Sequence, residues 1–272
     1  MMEELSLEKS KKIQLEILEC IDEFCRKENI QYSIAYGTLL GAVRHHGFIP
    51  WDDDIDIVML RSEYDRFVAS YRSERYPLIT GDRISNHLHV VVSDSHTVVE
   101  YPKGSSDAFF YKGGLWVDVF PLDTVPEDLD KYNVLRKSIS TRRKLQKLGE
   151  LPNLRNQNSP KWKKMAKRMI YYLLHPFKDY NGKKALGLLQ KYNNTNSSKV
   201  ASLSVWYWTH SEFMPKSWFT DFCELEFEGR RFKAVKSYDE YLRSLYGDYM
   251  KLPPVEERKG KHKYKAYSRT GI

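Results

Sequence analysis

The sequence predicts an α+β domain, and three observations carry that expectation. Apolar residues recur at helical spacing between residues 7 and 28, where Ile13, Ile17, Ile21 and Phe24 stand four, four and three apart. Two β-prone runs lie far apart in the chain, Asp54-Ile55-Asp56-Ile57-Val58-Met59-Leu60 and Trp116-Val117-Asp118-Val119-Phe120, each setting acids among apolar residues. Between Lys131 and Arg168 there are thirteen Lys or Arg and one acid, Glu150, in a segment that reads as helical. At 272 residues the chain is long enough to bury a sizeable core as one domain, with residues 127–200 as a basic, mainly helical insertion within it.

The elements follow in order. The opening helix is a packing element. Tyr32 to Arg44 then reads as a strand, a Gly37-Thr38 turn and the start of a helix. Gly37 lets the backbone approach a ligand closely, and Thr38 caps the helix while offering its hydroxyl. A helix N-terminus beside a metal site suits phosphate, although Gly-Thr alone is an ordinary cap.

Next come Asp52, Asp53, Asp54 and Asp56, four carboxylates in five positions. Like charges this close repel unless a cation holds them, and hard divalent metals take oxygen ligands. If Asp54–Leu60 is a strand, Asp54 and Asp56 share one face while Ile55 and Ile57 point to the other. An inert acidic turn after Pro50 is the alternative, whereas a calcium loop lacks its glycine and distal glutamate.

Ser62-Glu63-Tyr64-Asp65 opens another helix, keeping Tyr64, Phe67, Val68 and Tyr71 in helical period. Strands are expected at 88–93 and 97–101, with His87 and His89 as ordinary strand histidines instead of ligands. Asp118 is the candidate third acid and shares a face with Trp116 and Phe120; satisfaction by backbone amides at a strand end is its other reading. Asp123, past Pro121, is assigned to a loop.

Three stretches together resemble the LicD family of phosphocholine transferases, which includes the fukutin-related proteins and belongs to the nucleotidyltransferase-like superfamily. They are Tyr36-Gly37-Thr38-Leu39-Leu40-Gly41-Ala42-Val43-Arg44, the run from Gly47 to Ile57, and Val117-Asp118-Val119-Phe120-Pro121-Leu122-Asp123. Tyr241 to Met250 and Leu252-Pro253-Pro254 continue the resemblance toward the C-terminus.

The resemblance implies a mixed β-sheet flanked by helices, with a catalytic Gly-Thr turn at Gly37 and Thr38. It also implies an Asp-x-Asp strand at Asp54 and Asp56 and a third acid at Asp118. Asp52 is a second-rank metal ligand by the same comparison, and Asp53 points elsewhere. The implied reaction moves phosphocholine from CDP-choline onto a hydroxyl of a cell-surface glycan precursor, of teichoic acid or lipopolysaccharide type, releasing CMP. Two Mg²⁺ or Mn²⁺ ions held by Asp54, Asp56 and Asp118 bridge the donor diphosphate. Phosphoryl transfer of this kind needs positioning and charge neutralisation more than a nucleophilic side chain. The alternatives are transfer of a nucleoside monophosphate from a triphosphate to a small acceptor, or LicD-like chemistry with CDP-ribitol or CDP-glycerol.

A quaternary ammonium donates no N–H hydrogen bond, so aromatic faces are its natural cage, each contributing about 0.5–2 kcal/mol. Trp116 is the first candidate and Trp51 the second, with Trp206-Tyr207-Trp208 further on. Arg44 is a candidate for gripping donor phosphate or else an exposed helix arginine, and Arg258 and His262 are candidates in a basic tail that closes over the nucleotide or ends flexibly.

Composition bounds the remainder. No apolar run spans a bilayer and Met1-Met2-Glu3-Glu4 is no signal peptide, so a cytoplasmic location is expected, peripheral on the inner face of the membrane. The basic stretch Lys161-Trp162-Lys163-Lys164 to Arg168 runs into Met169-Ile170-Tyr171-Tyr172-Leu173-Leu174, a pattern for an anionic membrane surface or, equally, a solvated helical subdomain. Nucleic acid is not expected as a partner, because no binding motif accompanies the charge. Cys20, Cys25 and Cys223 form no metal-type pair and read as reduced thiols.

Overall fold

A computed structural model of the chain describes residues 2–80, 88–102, 113–150, 160–204, 212–260 and 264–269. His87, Trp206-Tyr207-Trp208 and His262 fall outside these residues.

β1 (Glu3–Glu4) leads into α1 (Leu7–Lys27), where Ser6 accepts the Lys9 N–H at 3.2 Å as N-cap and Ile17, Leu18, Ile21 and Cys25 are buried. β2 (Ser33–Ile34) and α2 (Tyr36–His45) follow where strand, turn and helix were expected. The cap differs. Ala35 is the N-cap residue without a side-chain bond, and Thr38, inside the first turn, accepts the Asp56 N–H on its Oγ1 at 2.8 Å. That hydroxyl therefore joins α2 to β3 (Asp56–Leu60), a strand that starts two residues later than the alternation predicts. α3 (Arg61–Ser70) turns Tyr64 and Phe67 into the core.

β4 (Leu78–Ile79), β5 (Val90–Ser93) and β6 (Thr97–Glu100) precede the long β7 (Trp116–Val125). Three helices, α4 (Leu129–Glu150), α5 (Lys161–Leu174) and α6 (Lys178–Gln190), occupy the chain between β7 and β8 (Lys199–Ala201). Tyr132, Leu135 and Ile139 of α4 pack with Leu189, Val125 and Ala201 in a core of their own. Beyond β9 (Met214–Pro215), the hairpin β10 (Phe222–Phe227) and β11 (Arg230–Val235) is closed by Glu228 and Gly229 at φ 54° and 72°, a left-handed pair of the kind hairpin turns require. α7 (Tyr238–Tyr246) and β12 (Lys265–Ser268) complete the described elements.

The main sheet runs β2-β3-β7-β5-β4, with β8 added to β7 and β9 to β8. β3 and β7 are parallel and the other pairs antiparallel, so the sheet is mixed and the class is α+β as expected. The register sets Asp56 beside Asp118. A smaller sheet, β1-β12-β6, brings the C-terminal segment back to the N-terminal one.

Asp123 is the clearest local departure. It lies within β7 and not in a loop, fully buried, with its two oxygens accepting from Arg61 Nε and Nη2 at 2.8 Å each and from Asn193 Nδ2 at 2.9 Å. Pro121 does not end the strand because of where it falls. The Asp118 N–H faces β3, so alternation turns position 121 to the opposite edge, between Val119, the last residue paired with β5, and Asp123, the first paired with β8. No ladder bond is lost there.

Candidate active site

The site lies where β3 begins, at the N-terminus of α2. Asp52, Asp53 and Asp54 each bring a carboxylate oxygen within 4.8 Å of the other two. Asp53, expected to point elsewhere, belongs to this group. A Cβ on Gly37 would stand 2.5 Å from Asp52 Oδ2, so the Asp52 carboxylate is seated directly over a helix start that only glycine leaves open. The partial positive charge of a helix N-terminus favours an anion at that place. Asp56 is buried at the head of β3, and its partner Asp118 lies one strand over, about 4.8 Å away in backbone spacing.

Asp118 is held at both oxygens. Trp116 Nε1 donates to Oδ2 at 2.8 Å, and His89 Nε2 lies 2.9 Å from Oδ1. Trp116, Asp118 and Phe120 share a face as expected, with the His89 ring 4.4 Å from Phe120 and Tyr36 edge-on to Phe120 at 5.6 Å. His89 stands immediately before β5, one residue short of the strand expected to hold it, and contacts Asp118, the candidate third acid. The antiparallel pairing of Val90 with Val119 is what carries it there.

Aromatic surface adjoins these acids. Tyr264 packs on Trp116 at 5.3 Å between centroids and reaches Tyr101 at 6.1 Å, while its hydroxyl lies 3.5 Å from the Asp53 carbonyl oxygen. Burial holds the Tyr264 phenol well above its ordinary value, and the charges of Asp53, Asp54 and Asp118 act in the same direction. The Tyr246 phenol is raised likewise, first by burial of its hydroxyl and then by Asp56, Asp52 and Asp54, although 43% of the residue stays exposed. Both phenols therefore remain protonated among the carboxylates.

Basic residues occupy the neighbouring side. Arg44 Nη1 donates to the Tyr249 carbonyl at 2.6 Å and its Nε to His45 Nε2 at 3.0 Å, so this half-buried arginine also ties α2 to the segment after α7. Burial lowers its value, and the nearby positive charge of Arg258 adds to that. Arg258 donates to the Pro253 carbonyl at 2.9 Å and lies over the Trp51 ring at 5.6 Å, with His45 edge-on to the same ring. One face of Trp51 is thus taken by a guanidinium. Arg44, Arg258 and Trp51 are gathered together, whereas Trp116 sits with Asp118.

Sequence reasoning missed three residues. Lys11 of α1 lies within reach of the charges of Asp52, Asp53 and Asp54, yet burial holds its ammonium below the usual lysine value. Tyr264 arrives from the far end of the chain. Glu212, only 2% exposed, accepts from the Tyr36 hydroxyl at 2.9 Å and from the Ser202 N–H at 3.2 Å, and burial pushes its carboxyl up to about 8. Tyr36 itself sits at φ 48°, strained for a non-glycine residue, directly before Gly37. A lone buried acid anchoring that turn leaves no local signature.

Residues 29–126 match the family model described as LicD/FKTN/FKRP, nucleotidyltransferase domain. The chain is 31% identical over 276 aligned residues to the lipopolysaccharide cholinephosphotransferase LicD of Haemophilus influenzae, covering 98% of this chain and 99% of that protein. An uncharacterized protein of Rickettsia typhi is 30% identical over 163 residues, 57% of this chain and 47% of its own length. With acids, Gly-Thr turn and mixed sheet falling inside the matched region and the similarity running end to end, the chain belongs to the LicD family.

Proposed function

We propose that this chain moves phosphocholine from CDP-choline onto a hydroxyl of a cell-surface glycan precursor, lipid-linked or phosphorylated, of lipopolysaccharide or teichoic acid type, with release of CMP. That it is a transferase follows from its family. The observation supporting the choice of group is the Trp116–Tyr264 pair, Trp116 itself buried, standing beside the acid set, because aromatic surface flanked by carboxylates is what attracts a trimethylammonium head.

The donor set suits a hard divalent cation. It consists of carboxylate oxygens, three of them within 4.8 Å, and Asp118 is oriented at both oxygens by Trp116 and His89 as metal-binding carboxylates commonly are. Asp54, Asp56 and Asp118, with Asp52 in second rank, would hold Mg²⁺ or Mn²⁺, two ions in the full site. Such ions supply charge neutralisation and make a hydroxyl more acidic when bound. The protein's own groups do the rest. The α2 N-terminus at Gly37 and Thr38 presents positive partial charge, Arg44 and Arg258 offer cations for the donor phosphates, and an acid of the cluster accepts the acceptor's proton.

The test is a nucleotide-release assay with Mg²⁺ and a glycan-lipid fraction, comparing wild type, Asp54→Ala and Asp118→Ala on CDP-choline, CDP-ribitol, CDP-glycerol and nucleoside triphosphates. CMP from CDP-choline, phosphocholine on the glycan, and at least 100-fold lower rates in both variants (about 2.7 kcal/mol of barrier) are expected. Pyrophosphate release from a triphosphate with CDP-choline untouched would instead make the chain a nucleotidyltransferase. Release from CDP-ribitol or CDP-glycerol alone would replace the choline.

A further inference from the structure

α5 turns its apolar side away from the protein. Trp162, Met165, Met169, Tyr172 and Leu173 are each between 61% and 71% exposed. At 3.6 residues per turn they fall on one stripe. The helix is held to the body by its other side and its end. Tyr171 and Leu174 are partly covered, His175 Nδ1 lies 2.8 Å from the Gly149 carbonyl oxygen, and Gly149 is packed close enough to the Leu174 carbonyl that a Cβ would approach it to 2.8 Å. An apolar stripe facing water loses the stabilisation that burial would give, so its exposure calls for an occupant.

The charges around the stripe identify that occupant. The helix contains no Asp or Glu. On the helical wheel Arg168 and Lys164 follow one edge of the stripe, and Lys163 and Lys167 the other, with all four side chains exposed. A second copy of this chain seated on the same face would set basic edge against basic edge, which disfavours self-association. An acidic surface with an apolar interior beneath it satisfies both features together. We propose that α5 is an interfacial helix that lies in the plane of an anionic phospholipid bilayer, inserting Trp162, Met165, Met169, Tyr172 and Leu173 between headgroups while its flanking lysines and arginine meet lipid phosphates. The surface chemistry carries this whatever group the active site transfers, and no helix among the described residues is long and apolar enough to cross the membrane instead.

The experiment is flotation of the purified full chain with vesicles of phosphatidylcholine alone or mixed with phosphatidylglycerol, at low and high salt. Flotation with the anionic vesicles only, weakened by salt and abolished by M165E/M169E, is the expected result. K163Q/K167Q should lower the partition coefficient about 25-fold, from roughly five-fold per basic residue lost near the surface. Quenching of tryptophan fluorescence by brominated lipid, largely lost in the conservative W162F, reads the same insertion without relying on a charged substitution. Binding to anionic vesicles that is absent, or that M165E/M169E and W162F leave unchanged in both readouts, would overturn the proposal. So would a wild-type dimer that ignores vesicles and is dispersed by M165E/M169E.

Discussion

Glu212→Gln separates the charge of a buried acid from its packing. The carboxyl is almost wholly enclosed and is pushed from the ordinary 4.5 to about 8, burial being the main cause, with the Tyr36 hydroxyl, the Ser202 amide and the charge of Arg136 opposing it. A group whose folded value is raised binds its proton more tightly in the native state. The stability this contributes is complete below about pH 4.5 and is lost as pH rises toward 8. A shift from 4.5 to about 8, at 1.36 kcal/mol per pH unit, makes that loss on the order of 5 kcal/mol. Glutamine keeps an oxygen for Tyr36 and Ser202 and does not titrate. The variant should therefore gain on the wild type by about 1.4 kcal/mol per pH unit between pH 5 and 8. At about 2 °C or more per kcal/mol for a chain of this size, the thermal midpoints should separate by roughly 10 °C over that window. Thermal unfolding of both proteins in matched buffers from pH 5 to 9 reads this directly. Midpoint curves that run parallel would mean that Glu212 is ionised in the native state, and the burial argument would be wrong.

Three further predictions concern the site and its support. Gly37→Ala places a methyl 2.5 Å from Asp52 Oδ2, and because a side-chain carboxylate can yield, donor turnover should fall about tenfold or more (~1.4 kcal/mol) with the thermal midpoint little changed. Arg61→Met leaves the buried Asp123 without its bidentate partner and should cost about 3–5 kcal/mol in denaturant unfolding, a cost that pairing Arg61→Met with Asp123→Leu should largely restore. Trp116→Phe keeps an aromatic face toward Tyr264 but removes the N–H donated to Asp118. Its kcat should drop while its KM for CDP-choline holds, whereas Trp116→Leu should raise KM as well.

What was legible in the sequence is what local alternation and turn chemistry record. The helix α2, the Asp56 strand and the Asp118 strand each announce themselves within ten residues, and the face shared by Trp116, Asp118 and Phe120 follows from a period of two. The cap on Thr38 was misread because its hydroxyl is spent on Asp56, 18 positions away, a bond that no local rule anticipates. Asp123 was misread because Pro121 is tolerated only by virtue of where β5 stops and β8 starts. His89, Tyr264 and Glu212 share a different obstacle: they reach the site through sheet pairing or across 176 positions of chain, and pairing partners are set by the whole fold. The histidine alone had a usable signal, since a polar ring at the head of the Val90-Val91-Val92 run needs a partner wherever it is buried.

The arrangement of charge explains why such an acidic loop folds at all, and it ties stability to the proposed chemistry. Asp52, Asp53 and Asp54 lie close enough to repel one another, and the α2 N-terminus beneath Asp52 and the ammonium of Lys11 both act against that repulsion. A divalent cation held by these carboxylates would act against it more strongly than either. A substitution that removes one of these acids must then have opposite effects under two conditions. Without divalent ions, Asp54→Ala should unfold at a higher temperature than the wild type because one repelling charge is gone. With Mg²⁺, the wild type should gain a midpoint shift that rises with ion concentration, while the variant gains little. If instead the alanine variant melts lower in a chelating buffer, or responds to Mg²⁺ as fully as the wild type, Asp54 is a structural acid and the cation site must be sought among the other carboxylates.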